Sequence, residues 1–211
     1  MKPRKSLIVV ASLGTIGVLA WAVSGDITGS AHDFSSNGFS QGQICLPCHT
    51  PHHSNTSVDA APLWNHELTT ATYTTHSGAG IPANEALDPT SILCMSCHDG
   101  TVALDSFGGV SNGVQFILGD ALLGTDIEDD HPIGADAIYR LFPWMNNPVN
   151  WEGSAAGNPR KFRLREMTVN GAVEDVVSCG TCHEPHNGEE NPYMLQLPIA
   201  GSQICLECHL K

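Results

Sequence analysis

The sequence predicts a mostly irregular fold, with short helical turns and a small β-hairpin wrapped around a stack of bound, flat prosthetic groups. Three observations predict it. Glycine (21) and proline (13) are plentiful, aromatics make up 6% of the 211 residues, and no long helical periodicity runs through the chain. All eight cysteines fall into four copies of one pentapeptide, Cys-x-x-Cys-His, with none left over. Between residues 162–169 and 172–177 stands Asn170-Gly171, the strongest short hairpin signal available.

The four copies are Cys45-Leu-Pro-Cys48-His49, Cys94-Met-Ser-Cys97-His98, Cys179-Gly-Thr-Cys182-His183 and Cys205-Leu-Glu-Cys208-His209. This pentapeptide is the attachment signal for c-type haem. Its two thiols add to porphyrin vinyl groups as thioethers, and the adjoining His is placed under the ring as an axial iron ligand. Zinc knuckles, redox dithiols and disulfide frames also use Cys-x-x-Cys pairs. Zinc, however, places no requirement on the residue after the second Cys. With 11 His in 211 residues, four chance hits in four run to on the order of one in a hundred thousand. The expectation is four covalently bound haem c groups. Their rings would supply the apolar mass that the side chains lack, giving a mostly irregular multihaem fold.

At the N-terminus, Lys2, Arg4 and Lys5 precede an uncharged, mostly apolar run over residues 7–23, and Ala20-Trp-Ala22 offers a small-x-small cleavage site, with Ala22-Val-Ser24 as a second choice. An uncleaved anchor is the alternative, yet 17 residues lie at the lower limit for a span. We read residues 1–24 as a signal peptide cut near 22–24, and 25–211 as a single tetrahaem domain, exported to the periplasm or the outer surface. Thioether attachment uses up the thiols, so exported cysteines need not be disulfides. Cleavage would leave six basic residues against 22 acidic ones, a net charge of −16. Such a surface repels nucleic acid and anionic membrane. Basic redox partners, metal cations or oxidised minerals are more compatible companions.

Along the chain, the motifs start at 45, 94, 179 and 205. The spacing of 26 between the last two places their haems close together. Each motif fits one short helical turn, whose curvature brings both thiols and the imidazole to one ring. Gln-Ile-Cys-Leu-x-Cys-His recurs at the first and fourth motifs, and Cys-x-x-Cys-His-x-Pro-His at the first and third, which hints at duplication without a solenoid period. Residues 108–160 read as an extended loop with a helical turn near 136–142. The acidic run 125–130 lacks a calcium-loop spacing and reads as solvated. The hairpin at Asn170-Gly171 would deliver the chain directly to Cys179.

Four His are proximal ligands: His49, His98, His183 and His209. Seven remain, against Met95, Met145, Met167 and Met194 as rivals. The surplus of His predicts two imidazoles on every iron. His52 and His186 lie three residues after a proximal His and cannot readily curl to the far face of their own iron, so each would ligate a neighbouring haem. The spacing of 26 assigns His186 to the haem at Cys205 and Cys208. His131, in Asp-Asp-His-Pro, has acids that could orient its ring, and His32 stands alone on the N-terminal arm. His66 is the main rival, with His53 and His76 behind.

The succession His32-Asp-Phe-Ser, Cys-Leu-Pro-Cys-His-Thr-Pro-His52, Pro62-Leu-Trp-Asn65, Cys94-Met-Ser-Cys-His-Asp-Gly-Thr101, Asp129-Asp-His-Pro132 and Cys179-Gly-Thr-Cys-His-Glu-Pro-His186 resembles the doubled-CXXCH multihaem cytochromes, and within them the exported tetrahaem members of metal-reducing bacteria. The resemblance covers nearly all of the mature chain. It implies that His32, His52, His131 and His186 are the recurrent distal ligands, and that the position of His66 commonly holds another residue. It also implies electron transfer to redox partner proteins or extracellular acceptors. Some relatives polymerise, so the resemblance makes a conductive filament an expectation, a head-to-tail homopolymer bridged in trans by His32 or another terminal His. The alternative is a soluble periplasmic shuttle. A multihaem reductase would need an open iron, whereas distal His are in surplus here and no Cys-x-x-Cys-Lys variant occurs.

Overall fold

The computed structural model describes residues 27–140, 143–148, 151, 162–187 and 191–210. The expected signal segment 1–24 and Phe142 lie outside the described residues. The regular elements are β1 (Thr72–Thr75), β2 (Gly78–Pro82), α1 (Ala83–Ala86), α2 (Pro89–His98), β3 (Arg165–Val169), β4 (Ala172–Val176), α3 (Cys179–Cys182) and α4 (Gln203–Cys208). Short 3-10 turns and irregular chain connect them. Among the described residues, no helix is long and apolar enough to cross a membrane.

The hairpin at Asn170-Gly171 is present. β3 and β4 pair antiparallel from Arg165↔Val176 to Val169↔Ala172. Asn170 (φ 51°) and Gly171 (φ 81°) both have positive φ, as a type I′ turn requires at its two central residues, and its twist matches the strands it joins. Two residues after the end of β4 the chain enters Ser178, the N-cap of α3. A second hairpin, β1–β2, was not legible in the sequence. Its connection, His76-Ser77, carries no Asn-Gly signal, and its register breaks between Tyr73 and Thr75.

The helical turn expected near 136–142 lies instead at Gly134–Ala137. Packing moved it: Gly134 (φ 61°) sits so close to α1 that a Cβ there would collide with the Ala86 carbonyl oxygen, and its N–H donates to Val177 O at 2.8 Å. Ile138 then leaves as a strand-like residue bridged to Val176.

α2 starts on Asp88, whose side chain accepts from Thr90 N and Ser91 N, with Pro89 at the first helical position. It ends before Gly100 (φ 73°), where a left-handed turn favours glycine. The apolar core is divided. Tyr73, Ala83, Ala86, Leu87, Met95 and Ile127 cluster under α2. Trp151, Phe162, Leu195, Leu197 and Ile204 form a second cluster, with Cys182 and Cys208 packed against it. Large apolar side chains remain exposed, Leu118 and Tyr193 at 80% among them, so the chain by itself does not bury its apolar surface.

Candidate functional site

Each Cys-x-x-Cys-His sits on one helical turn. In α2 the second motif forms the last turn, and α3 and α4 carry the third and fourth. The first motif is a turn of the same shape: His49 N donates to Cys45 O at 2.7 Å, as His183 N does to Cys179 O and His209 N to Cys205 O, both at 2.9 Å. Residues i, i+3 and i+4 share one helix face, so both sulfurs and the imidazole project together. None of the eight cysteines is in a disulfide.

Three of the four motifs are backed by the same antiparallel bridge. Behind the first, Asn65 N donates to Cys48 O (2.9 Å) and Thr50 N to Leu63 O (2.9 Å). Behind the third, Gln196 N donates to Cys182 O and Glu184 N to Met194 O, both at 2.8 Å. Behind the fourth, Asn146 N donates to Cys208 O and Leu210 N to Trp144 O, again at 2.8 Å. The first and third frames match further. Leu63 (φ 56°) and Met194 (φ 57°) are both left-handed. Asn65 Nδ2 donates to Leu46 O (2.6 Å) and Gln196 Nε2 to Gly180 O (3.1 Å), each carbonyl lying one residue after the first Cys. Sequence reasoning missed these backing segments, although the duplicated Cys-x-x-Cys-His-x-Pro-His pointed to a repeated unit.

The motifs follow one another in space. Burial pushes the Cys48 thiol up to about 11, helped by Cys45. Burial likewise lifts Cys97 to about 12, and there Cys48 contributes. The hydrogen bond to Cys179 and then burial raise Cys94, while the same bond lowers Cys179. Burial lifts Cys182 to about 11, with Cys179 and Cys205 adding. Neighbouring thiols thus link motif one to two, two to three, and three to four. The junction of two and three rests on Asp88, which is fully buried. Its carboxylate accepts from Thr90 N (3.0 Å), Ser91 N (3.2 Å), Ser91 Oγ and Ser178 Oγ (3.0 Å). Ser91 Oγ in turn accepts from Cys179 N at 3.1 Å.

Second imidazoles stand opposite three of the four proximal ones. The ring centroids of His49 and His186 are 6.3 Å apart, those of His32 and His98 6.1 Å, and those of His131 and His209 6.5 Å. Two metal–nitrogen bonds of about 2 Å, plus the ring radii, separate trans imidazole centroids by roughly 6.3 Å. These pairs therefore fit an iron between them. Nδ1 is tethered in six of the eight candidate ligands. His49 donates to Pro62 O (2.7 Å), His98 to Ala121 O (2.8 Å), His183 to Tyr193 O (2.9 Å), His131 to Pro132 O (2.9 Å), His32 to Pro185 O (3.1 Å) and His186 to Glu184 Oε1 (3.0 Å). Tethering Nδ1–H fixes the tautomer that presents Nε2 to a metal. Burial lowers the proton affinity of His32, and the neighbouring His98, His186 and His183 lower it further against the opposing Pro185 carbonyl. A ligand imidazole must be neutral, as this favours.

Two sequence expectations need correction. The ring of His186 lies opposite His49 of the first motif rather than at the fourth, where His131 lies opposite His209. Three residues of separation from His183 excluded only its own iron, and the spacing of 26 misjudged which neighbour the chain reaches. His32 meets His98 of its own chain. His52 and His183, the remaining candidates, are both exposed and are not brought into ring contact. Thr50 Oγ1 donates to His52 O at 2.9 Å and holds that backbone.

His66 is 3% exposed and has both ring nitrogens against backbone carbonyls, so it is a packing residue. His53 and His76 are exposed, and Asp136 lies 4.0 Å from His76. Met95 is fully buried in the α2 cluster. Among the described residues, no three of His, Cys, Asp and Glu converge as a metal-ion site.

Comparison with protein families finds the doubled CXXCH motif over residues 171–211, the stretch holding the third and fourth motifs. A comparison with curated proteins finds no match. The family match supports a multihaem c-type cytochrome, in which Cys-x-x-Cys-His marks covalently bound haem c and the usual role is electron transfer.

Proposed function

We propose that this chain is an exported tetrahaem cytochrome that conducts electrons along four closely spaced haems, each iron held between two imidazoles. The observation that carries the reading is the set of three His–His pairs at 6.1, 6.3 and 6.5 Å. Bound haem would supply one-electron chemistry at iron, with little rearrangement when both axial positions are filled.

The chain's own residues do the rest. Eight Cys would fix the rings, with His49, His98, His183 and His209 holding one face and His186, His32 and His131 the other at the first, second and fourth. The third pair follows from reciprocity. His186, three residues beyond His183, reaches the first motif, so His52, three residues beyond His49, is assigned to the third. With both axial positions occupied by imidazole, no iron would be open to substrate, which favours electron transfer over a reductase. The test is spectroscopic. The holoprotein should retain four haem equivalents after acid–acetone extraction and show only low-spin, bis-imidazole iron. A nitrite-reactive, high-spin fraction would make it a reductase instead.

A second reading, polymerisation into an extracellular filament, is favoured by the charge pattern. Residues 120–130 carry five acids and no Lys or Arg, whereas 140–165 carry five Lys or Arg and one acid. Opposite segments on successive copies would attract, and a head-to-tail contact that does not close gives a filament. Light scattering and negative-stain microscopy of native extract decide it: fibres support the filament, and monodisperse monomers leave a periplasmic shuttle.

A further inference from the structure

Four buried polar side chains, Asp88, Ser91, Ser178 and Thr181, meet where α2 touches α3. Each of their hydroxyls donates: Ser91 Oγ and Ser178 Oγ to the Asp88 carboxylate, and Thr181 Oγ1 to Arg163 O at 2.7 Å. Ser178 Oγ accepts in turn from Gly180 N (3.3 Å), and Thr181 Oγ1 from Ser178 N (3.0 Å).

Ser91 is the member that reaches from one motif to the next. Its Oγ accepts from Cys179 N at 3.1 Å while donating to Asp88. Cys94 follows Ser91 by three residues and so lies on the same face of α2, where its Sγ donates to Thr90 O at 3.5 Å. The main chain at the first cysteine of the third motif is thus held one helical turn from the first cysteine of the second. The Cys94 and Cys179 thiols are themselves hydrogen-bonded to each other. Gly180 permits the approach, since a Cβ there would stand 3.1 Å from the Thr90 methyl.

Apolar residues of similar shape could join two short helices with little change in stability. A fully satisfied buried polar network does more, because it rigidifies and specifies one arrangement. What it specifies here is the separation of two sulfurs. Each sulfur is the point that ties a ring to the chain, so their separation limits how far apart the two ring edges can stand. Electron tunnelling falls steeply as that gap widens.

We propose that Ser91 is a positioning residue for electron transfer: by holding Cys179 against the Cys94 turn of α2, it sets the gap across which the second and third haems exchange electrons. The proposal rests on haem attachment at both of these motifs. The exchange moves one electron from ferrous to ferric iron, with no bond made or broken and no proton transferred. Asp88 serves the same end indirectly, because it is the acceptor that orients the Ser91 hydroxyl.

Proton NMR of the haem methyl groups, followed through stepwise oxidation of the holoprotein, resolves the four haems and the redox interaction within each neighbouring pair. That interaction falls as the pair separates. In Ser91→Ala, with four haems bound and the low-spin spectrum intact, the interaction of the second with the third haem should weaken, and those of the first with the second and the third with the fourth should hold. An unchanged second–third interaction would overturn the proposal and leave Ser91 a structural residue. An equal fall at all three junctions would overturn it as well, since it would show a general loosening. Asp88→Asn, which keeps the helix cap on one oxygen and takes from Ser91 Oγ its acceptor, is the second variant and should weaken the same pair and no other. Mass analysis of the peptides holding Cys94 and Cys179 separates the two claims. Peptides without haem refute the function reading itself, whereas haem-bearing peptides with an unchanged second–third interaction refute this inference alone.

Discussion

The first and third motifs share a frame and differ in what stands behind it. Both close His against an antiparallel bridge, both put a left-handed residue at the same place (Leu63, Met194), and both return an amide side chain to the motif's second residue. The third motif is braced further. Ser178 and Thr181 form a capping box, Asp88 ties that cap to α2, and Cys182 packs on the second apolar cluster. At the first motif, Cys45 is exposed and residues 51–53 beyond it are exposed. The same local chemistry can therefore be held with a polar core behind it or by its turn and backing bridge. The first site depends more on haem to order it.

The largest expected effect breaks this comparison at the sulfurs. Cys182→Ser should lose a thioether and loosen the second cluster, destabilising the whole C-terminal half. Cys45→Ser should lose a thioether at the first site with a much smaller change in unfolding midpoint. Intact mass and chemical denaturation of the two variants check this. Equal destabilisation would mean that the bracing does not matter.

Next comes the brace itself. Asp88→Ala removes the N-cap of α2 and leaves the Ser91 and Ser178 hydroxyls short of an acceptor. It should cost about 2–4 kcal/mol, felt at the second and third motifs and not at the first. Hydrogen exchange, residue by residue, locates the loss.

At the irons, His186→Ala should open the haem at Cys45 and Cys48, and His131→Ala the haem at Cys205 and Cys208, each adding a high-spin signal. His76→Ala should leave the spectrum unchanged. The smallest effect tests the shared backbone. Leu63→Gly and Met194→Gly each relieve a left-handed residue and should change stability by no more than about 1 kcal/mol, in the same direction in both units. Opposite signs would show that the two frames are not equivalent.

Much of this was legible from residue types. The Cys and proximal His follow from a covalent motif whose chemistry fixes their spacing, and Asn170-Gly171 announces a turn through backbone sterics. Three residues of separation from a proximal His singled out His52 and His186 as ligands of a neighbouring haem, and the resemblance added His32 and His131. Their partners were not legible, since spacing along the chain does not report how a loop returns, and His186 reached back to the first motif rather than on to the fourth. The backing bridges escaped because main-chain hydrogen bonds hold them, although Leu63-Trp64-Asn65, Met194-Leu195-Gln196 and Trp144-Met145-Asn146 share two large apolar residues followed by an amide. β1–β2 escaped for a similar reason: its strands are short, and a bulge interrupts them.

The most direct test is a density map of the haem-loaded protein at a resolution that identifies axial ligands. The account predicts His186 opposite His49, His32 opposite His98 and His131 opposite His209, all within one chain. A map with His186 on the fourth iron, or a methionine on any of these three, would contradict it.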